Sequence, residues 1–395
     1  MKLAAHFIGA GAKYLKPVEV DPTASNEHEF NGIKEFKKLL GTSKKIIKTN
    51  FFYIGETTEN CIFSQGKLTW YDAREKHPSR SEFRLYYTSN EVIDNASAGD
   101  FIVVALKSDG EAMVFITQAN STQENQLRHL FCLVGEQAES FSVQEITSKI
   151  EIDFVRKMIM DNLGIEIEEK EECLRDEIQK TFVDKFPSTK AFSEYARKVC
   201  SIGTHDASSD LVLCSWMESE EKLFRSLEKH IVSKRLKIGF DNVDEFMSFS
   251  LSVQNRRKSR VGHAFENHLA AIFDDNNIPY TKGCMTQNKS KPDFIFPGID
   301  QYRDISFPTA NLTMLGAKTT CKDRWRQILT EADRIEKKHL ATLEPGISEF
   351  QTDDMIAHKL QLVIPKPIHA SYKINQVKQL MTIDEFLELV KERIS

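Results

Sequence analysis

The stretch Lys291-Pro292-Asp293-Phe294-Ile295-Phe296-Pro297 places an aspartate at the start of a short apolar strand. Pro292 keeps the backbone before this aspartate extended, as a strand requires. A second apolar strand, Leu312–Lys318, ends on a lysine, and Glu331 follows 13 residues after that lysine. A carboxylate, a lysine and a second carboxylate in this order are the groups that a Mg²⁺-dependent nuclease uses to cleave a phosphodiester.

The pattern predicts a metal-dependent hydrolytic site. Mg²⁺ held by carboxylates neutralises charge at phosphorus, and a nearby lysine orients or helps to activate the attacking water. We therefore predict Asp293 and Glu331 as Mg²⁺ ligands, and Lys318 and the helical Glu266 as further catalytic residues. Because neighbouring strands are about 5 Å apart, residues at their ends can converge on one ion.

Each of these residues also has an ordinary structural explanation. A Pro-Asp pair before a strand is commonly a turn, and a lysine at a strand end usually faces solvent. Glu266 and Glu331 can be charges on helix surfaces. The prediction therefore depends on the ordered combination on a helix, three strands and a helix.

Length and composition restrict the class of protein. A chain of 395 residues predicts two or three domains, and 41% hydrophobic with 28% charged residues is typical of a soluble globular protein. No apolar run is long enough for a membrane span, and the first residues do not resemble a signal peptide. Seven cysteines without a CxxC pair predict reduced thiols in the cytoplasm. The histidines show no zinc-ligand spacing.

The net charge of −5 does not indicate nucleic-acid binding, but its distribution is uneven. Residues 253–338 contain 15 Lys and Arg against 10 Asp and Glu. A local basic excess in an acidic protein is expected for a bounded DNA-binding surface. An ordinary solvated surface is the alternative explanation.

Hydrophobic patterning divides the chain into three parts. Residues 1–150 predict a β-rich domain, a barrel or a sandwich, residues 151–180 an acidic helical linker, and residues 181–395 a mixed α/β domain. The predicted strands of the first part are Phe51–Ile54, Phe83–Tyr87, Phe101–Leu106, Ala112–Ile116 and His129–Val134. Helices are predicted at Asp153–Asn162, Glu171–Lys185, Glu220–Arg235, Val243–Arg256, Ser259–Phe273, Cys321–Lys338 and Ile383–Arg393. The strands of the third part are Asp293–Phe296, Tyr302–Phe307, Leu312–Lys318 and Leu360–Pro365.

A basic cluster, Lys322, Asp323, Arg324 and Arg326, lies where the helix after Lys318 is predicted to begin. Basic residues oppose the usual preference for acidic residues at a helix start, so a polyanionic partner is favoured. Arg or Lys can donate to guanine, and Asp can accept from cytosine, in the major groove. A salt-bridged surface helix is the alternative.

Three segments closely resemble the EcoRII-type type II restriction endonucleases: Asn255–Arg260 with Glu266, Lys291–Pro297, and above all Lys318–Leu329. The resemblance covers roughly residues 180–395. It implies a mixed-sheet PD-(D/E)xK core, Mg²⁺ dependence and double-strand DNA cleavage by a homodimer. By position, it makes Glu266, Asp293, Lys318 and Glu331 the active-site set. It also makes Lys322, Asp323 and Arg324 readers of outer C·G pairs, Tyr302 a neighbour of the catalytic centre and Arg257 its support.

In this family the amino-terminal part is a DNA-binding pseudobarrel, which binds a second copy of the site and restrains the nuclease. The β-rich prediction for residues 1–150 agrees with it. Arg80, Glu82 and Arg84 lie in a segment that resembles the family's recognition segment, and an ordinary polar hairpin is the rival explanation. Trp216 lies where a residue that stacks on a flipped base is expected, although a single Trp is usually part of a core.

These observations predict a type II, type IIE-like restriction endonuclease that cuts unmethylated DNA at a short palindromic or pseudopalindromic site of the form CC…GG, such as CCWGG. A cytosine DNA methyltransferase is the expected companion in the host, without a stable complex, and no membrane association is expected. A DNA-binding regulator with a decayed nuclease domain and a structure-specific repair nuclease are the alternatives. Decay would remove Asp293, Lys318 or Glu331, and all three are present.

Overall fold

The computed structural model describes residues 2–21, 23–24, 28–55, 60–77, 79–133, 140–165, 178, 181–182, 185–205, 207–287, 290–321 and 324–394, without the side chain of Lys258. The chain forms two compact units. The first comprises Met1–Ile167 and Pro345–Gln351, and the second comprises Glu168–Glu344 and Thr352–Ser395. The predicted helix over Glu171–Lys185 falls mostly outside the described residues.

The first unit is built on an eight-stranded sheet. Its strands are β1 Phe7–Tyr14, β2 Glu29–Phe30, β3 Lys45–Tyr53, β4 Ile62–Asp72, β5 Phe83–Tyr87, β6 Phe101–Lys107, β7 Ala112–Thr117 and β8 Ser142–Glu145. They are ordered β2-β5-β4-β3-β7-β6-β1-β8, and all neighbours are antiparallel except β3 and β7. Alternate burial along β4 places Leu68 and Trp70 in the core. The mainly β character predicted for this part is confirmed.

Five helices accompany this sheet: α1 Pro17–Val20, α2 Lys37–Leu40, α3 Glu91–Asn95, α4 Thr122–Leu130 and α5 Phe154–Asn162. The predicted strand at His129–Val134 is wrong, because α4 extends to Leu130. Ser121 begins this helix, where its hydroxyl accepts a hydrogen bond from the Glu124 amide at 3.1 Å. The N-cap at Ser121 therefore predicts the structure of this segment better than the apolar run near its other end does.

The second unit contains a five-stranded mixed sheet. Its strands are β9 Thr281–Lys282, β10 Phe294–Phe296, β11 Thr313–Lys318, β12 Lys338–Thr342 and β13 Leu360–Val363, in the order β13-β12-β11-β10-β9. β9, β10 and β11 pair antiparallel, whereas β11, β12 and β13 pair parallel. The predicted mixed α/β fold is confirmed.

Eight further helices follow α5 in the described part of the chain. They are α6 Thr189–Val199, α7 Ser209–Ile238, α8 Val243–Asp275, α9 Ile299–Arg303, α10 Trp325–Ile328, α11 Glu349–Ala357, α12 Ile374–Val377 and α13 Ile383–Ile394. The two helices predicted at Val243–Arg256 and Ser259–Phe273 are one continuous helix. Near its end, Phe273 packs edge-on against Phe294 and Phe296 of β10, with ring centroids 5.2 and 5.1 Å apart. This contact fixes α8 against the sheet.

Two predictions in this unit are wrong. The segment Tyr302–Phe307 is not a strand, because α9 ends at Arg303 and a turn follows. The Arg334 guanidinium holds this turn by donating to the carbonyls of Tyr302, Asp304 and Phe307. The long helix predicted over Cys321–Lys338 is only the single-turn α10, and Lys338 instead begins β12.

Two negative findings apply to the described residues. No helix among them is long and apolar enough to cross a membrane. Their six cysteines form no disulfide.

The close approach of α10 to β11 depends on a glycine. A β-carbon at Gly316 would lie 2.6 Å from Cδ1 and 3.1 Å from Cγ1 of Ile328, a fully buried residue of α10. We expect Gly316→Ala to lower the free energy of unfolding by about 1–3 kcal/mol through overpacking. Gly262→Ala is the matched control, because that helical glycine has nothing within 4 Å. It should raise stability by about 0.5–1 kcal/mol. Urea denaturation measures both changes, and equal effects of the two substitutions would contradict this packing.

Candidate active site

Asp293 and Lys318 meet across two paired strands. The antiparallel register of β10 and β11 places Phe294 opposite Leu315, so that Asp293, one residue earlier, lies beside the end of β11. Its Oδ2 accepts hydrogen bonds from the Ala317 amide at 2.7 Å and from Lys318 Nζ at 2.9 Å. The side chains are 15% and 24% exposed, so both are shielded yet reachable. The structure therefore brings these two predicted residues together.

Glu331 approaches the same pair from the turn after α10. Its amide donates to the Ile328 carbonyl at 3.0 Å, so the chain turns back directly after the helix. Burial and the negative charge of Asp293 raise the pKa of Glu331 to about 7, while the positive charges of Lys318 and Lys338 act in the opposite direction. Its Oε2 is buried and has no hydrogen-bond partner among the described residues.

A buried carboxylate oxygen without a partner is costly unless a cation or a donor satisfies it. Mg²⁺ is commonly held by one or two carboxylates together with water and substrate phosphate oxygens. Asp293 and Glu331 fit this requirement. No group of three or more His, Cys, Asp and Glu side chains within the described part of the chain is arranged for a metal. An ion at this site therefore needs water or phosphate to complete its coordination.

Lys338 is a further member of this site that the sequence analysis missed. The residue is almost completely buried, and its Nζ donates to the Ile335 carbonyl at 2.9 Å. Burial lowers the pKa of Lys338, whereas the charges of Asp333 and Glu331 act in the opposite direction. Because β12 is buried along its whole length, no apolar and polar alternation marked this strand, and Lys338 was assigned to the end of the predicted helix.

Glu266 lies one strand away from this cluster. It forms an ion pair with Lys282 of β9 at 3.3 Å. Lys282 is paired in the sheet with Phe294, the residue after Asp293. Glu266 therefore lies beside the antiparallel edge of the sheet, next to the strand that follows Asp293. Its ion pair with Lys282 links it to that edge.

Tyr302 is buried beside the turn that carries Glu331. Its hydroxyl donates to the Gln287 side chain, and the Arg334 guanidinium lies 5.7 Å from its ring centroid. Burial raises the pKa of Tyr302. Arg334 thereby connects Tyr302 to the segment three residues after Glu331, a contact that the sequence analysis did not predict.

Arg257 is placed elsewhere. Its guanidinium binds the buried Glu228 carboxylate, with Nε 2.7 Å from Oε2, and so ties α8 to α7. Its described contacts support the helices and do not involve Asp293 or Glu331.

The predicted base-reading cluster is only partly described, because Lys322 and Asp323 lie outside the described residues. Arg324 is exposed, and its amide donates to the Cys321 carbonyl at 2.8 Å. The Arg326 side chain already has partners within the protein. It binds Asp354 at 2.8 Å and stacks over the buried Trp325 at 4.5 Å.

In the first unit, the charges near the predicted recognition segment pair with one another. Glu82 binds Arg74 at 2.6 Å and Arg84 at 3.1 Å, and Arg84 also binds Glu29 at 2.9 Å. The two arginines lower the pKa of Glu82. Arg80 is exposed on the same connection between β4 and β5. This internal pairing is the arrangement expected of a polar hairpin.

Trp216, predicted to stack on an extruded base, lies inside the helical part of the second unit in this structure. Trp216 is buried, and its indole N–H donates to the Ile202 carbonyl at 2.9 Å. Arg197 lies over its ring at 5.7 Å and His268 packs against it at 5.6 Å. The described contacts of the Trp216 ring are therefore with residues of α6 and α8.

Residues 224–387 match the family model described as EcoRII C terminal. The chain is 38% identical to the type II restriction enzyme EcoRII of Escherichia coli over 204 residues, which are 51% of this chain and 50% of that enzyme. It is 25% identical to the type II restriction enzyme SsoII of Shigella sonnei over 252 residues, which are 54% of this chain and 81% of that enzyme. The chain thus spans about half the length of EcoRII.

Two solved structures also align with part of the chain. A metal-depleted Ecl18kI in complex with uncleaved, modified DNA has a TM-score of 0.45 at 22% identity and covers 56% of this chain and 83% of its own. A PspGI complex with substrate DNA has a TM-score of 0.43 at 13% identity and covers 58% of this chain and 98% of its own. Together with the family match at residues 224–387, the similarity to EcoRII confirms for the carboxyl-terminal half of the chain its predicted resemblance to the EcoRII-type restriction endonucleases.

Proposed function

We propose that this protein is a Mg²⁺-dependent, site-specific type II restriction endonuclease that cleaves both strands of DNA. The observation that carries the proposal is the partly buried Glu331 carboxylate beside Asp293 and Lys318, with an oxygen that has no described partner. The similarity of the same region to EcoRII and SsoII supports it.

Each side chain has a role that its position allows. Asp293 and Glu331 would hold Mg²⁺, which supplies charge neutralisation at the phosphate and polarises an attacking water. Lys318, whose ammonium donates to Asp293 at 2.9 Å, would orient that water by hydrogen bonding. Glu266 would act from the neighbouring edge, and Tyr302 would hold the turn that presents Glu331.

The partners follow from this activity as further proposals. Double-stranded DNA is the substrate, Arg324 with Lys322 and Asp323 reads the outer C·G pairs, and the enzyme acts in the cytoplasm as a homodimer. A cytosine methyltransferase would protect host DNA. The rival of a regulator with a decayed nuclease is disfavoured by the intact cluster of Asp293, Lys318 and Glu331. A structure-specific repair nuclease is disfavoured by the similarity to enzymes that read defined sites.

Mg²⁺ binding should depend on pH through Glu331. Its pKa of about 7 is raised, so the carboxyl is largely protonated at pH 6 and largely ionised at pH 8. Because Mg²⁺ needs the ionised form, the apparent affinity should rise about tenfold from pH 6 to pH 8. Calorimetric titration of the DNA-free protein, in buffers of different ionisation enthalpy, measures the affinity and the proton released near pH 7.

Glu331→Gln should abolish both the proton release and this pH dependence. Glu336→Gln is the matched control, because Glu336, five residues after Glu331, is exposed and pairs with Lys359. It should behave as the wild type does. A pH-independent Mg²⁺ affinity in the wild type would show that Glu331 is not a ligand of the metal.

Asp293→Ala should abolish cleavage of plasmid DNA in Mg²⁺, with a loss of at least about 10³-fold, because a ligand and the hydrogen-bond partner of Lys318 are both removed. Asp300→Asn, at an exposed position of α9, should retain full activity. Full activity in Asp293→Ala, or no cleavage by the wild type with any divalent ion, would contradict the nuclease proposal.

Sequencing of the cut ends tests the base readers. The site should begin and end with C·G pairs in the form CC…GG. Arg324→Ala should weaken cleavage by about 1–3 kcal/mol and relax preference at an outer pair. Arg326→Ala should change specificity less, since its guanidinium is held by Asp354. Sites without outer C·G pairs would refute this assignment.

A further inference from the structure

The connection after β11 carries the residues proposed to read the outer base pairs. It comprises residues 319–324, and we call it the reader loop. Cys321 is fully buried, whereas Arg324 is exposed, and the Arg324 amide donates to the Cys321 carbonyl at 2.8 Å. The residue before Lys322 and the residue after Asp323 are therefore joined. Of these two joined residues, Cys321 attaches the loop to the interior of the protein.

Cys321 is held there by a buried carboxylate. The Oε2 atom of Glu344 accepts a hydrogen bond from the Cys321 amide, and Glu344 is only 5% exposed. Burial, and after it the negative charge of Glu344, raise the pKa of the Cys321 thiol, which therefore stays neutral beside the carboxylate. Hydrogen bonds to a charged acceptor are about twice as strong as those between neutral groups. Loss of this acceptor would deprive a buried amide of its partner, which is costly.

Glu344 is itself fixed at both of its backbone groups. Its amide donates to Thr342 Oγ1 at 3.2 Å, and its carbonyl accepts from the Tyr372 hydroxyl at 2.5 Å. The same Thr342 hydroxyl donates to the carbonyl of Thr319, the first residue of the reader loop, at 3.4 Å. Two points of the loop, Thr319 and Cys321, are therefore bound to the short segment that ends β12 and leads to Glu344.

The sheet register relates this segment to the candidate active site. β11 and β12 run parallel, with Lys318 opposite Thr342. The reader loop and the segment that carries Glu344 therefore leave the sheet at the same edge. Lys318 is the last residue before the loop, and its ammonium donates to Asp293 at 2.9 Å. The hydrogen bond between Cys321 and Glu344 thus sets the position of the loop relative to the residues at which cleavage is proposed.

The charges of the loop region explain why a carboxylate, rather than a neutral oxygen, suits this place. Lys322, Arg324 and Arg326 lie within five residues of one another, with Asp323 as the only acidic residue among them. A negative charge held at the start of this basic cluster offsets part of the repulsion among its members. A carboxylate that is 5% exposed does not itself reach a base, so Glu344 acts through the loop.

We propose that Glu344 is a positioning residue for base recognition: through the Cys321 amide, it holds the reader loop where residues 322–324 read the outer C·G pairs. The inference rests on the proposed function and adds to it a residue that determines specificity without touching DNA. Hydrogen bonds to base edges need donor–acceptor distances near about 3 Å, so a small shift of the loop weakens them. Loss of Glu344 should therefore lower discrimination between sites.

Cleavage of two DNA duplexes tests the proposal. One carries the site at which the wild type cuts, and the other differs from it at one outer C·G pair. Glu344→Met nearly keeps the side-chain size but removes the carboxylate acceptor, and it should lower the ratio of kcat/KM between the two duplexes at least about tenfold. Glu344→Gln retains an acceptor oxygen, so its ratio should stay within about threefold of the wild type. Because the ratio is taken within one variant, a smaller folded fraction does not change it.

Asp210→Asn is the matched control for stability. Asp210 is also a buried carboxylate of the second unit, and its Oδ1 accepts from the amides of Lys366 and Ile383 at 2.9 Å each. This substitution weakens a comparable buried anchor far along the chain from the reader loop, and it should leave the ratio at the wild-type value. An equal fall of the ratio in Asp210→Asn and Glu344→Met would contradict the proposal.

Hydrogen–deuterium exchange of the DNA-free protein tests the anchor without any nuclease activity. The Cys321 amide should exchange at least about tenfold faster in Glu344→Met than in the wild type, because its acceptor is lost. In Asp210→Asn it should exchange at the wild-type rate. Unchanged exchange of the Cys321 amide in Glu344→Met would overturn the inference.

The outcomes separate this inference from the proposed function. A wild type that cuts DNA at a defined site, while Glu344→Met keeps its full discrimination, overturns the inference and leaves the proposed function standing. A wild type that cuts no DNA overturns the proposed function. The role of Glu344 in base recognition then falls with it, even where exchange at Cys321 shows that the loop is anchored.

Discussion

The constraint on which the candidate site depends is the burial of one carboxylate, Glu331, beside a second carboxylate and a lysine. The antiparallel pairing of β10 and β11 fixes Asp293 against Lys318, and the turn after α10 brings Glu331 toward both. Burial of the Glu331 carboxyl is the largest cause that raises its pKa to about 7, and the nearby Asp293 charge adds to it. A divalent cation relieves this repulsion, so binding energy for the ion is stored in the arrangement of the protein. Without a cation, the same two carboxylates would destabilise the folded protein.

The helical frame gives this site its rigidity. Phe273 packs α8 against β10, the strand that follows Asp293, and the same helix carries Glu266 two turns earlier. Gly316 allows Ile328 of α10 to contact β11 closely, which determines where the turn carrying Glu331 begins. Motion of either helix would therefore be transmitted to a carboxylate of the candidate site.

Local sequence patterns were sufficient to predict the central strands β10 and β11. Pro292 and the apolar residues after it indicate β10, and the apolar run before Lys318 indicates β11, whose observed start at Thr313 differs by one residue. β12 was missed, because Lys337 and Lys338 resemble the end of a helix and the burial of Lys338 depends on contacts distant in sequence. The turn after Tyr302 depends in the same way on Arg334, about thirty residues away. For Trp216, sequence position suggested base stacking, and sequence alone did not indicate that the side chain is buried among three helices.

Iron-directed cleavage of the protein backbone tests most directly whether Asp293, Lys318 and Glu331 form one metal centre. Fe²⁺ that occupies a Mg²⁺ site generates hydroxyl radicals in ascorbate and peroxide, and these cut the nearby chain. The account predicts breaks close to residues 293, 318 and 331, which excess Mg²⁺ suppresses and Glu331→Gln removes. Breaks confined to other segments, or breaks at these positions that persist in Glu331→Gln and in excess Mg²⁺, would contradict it.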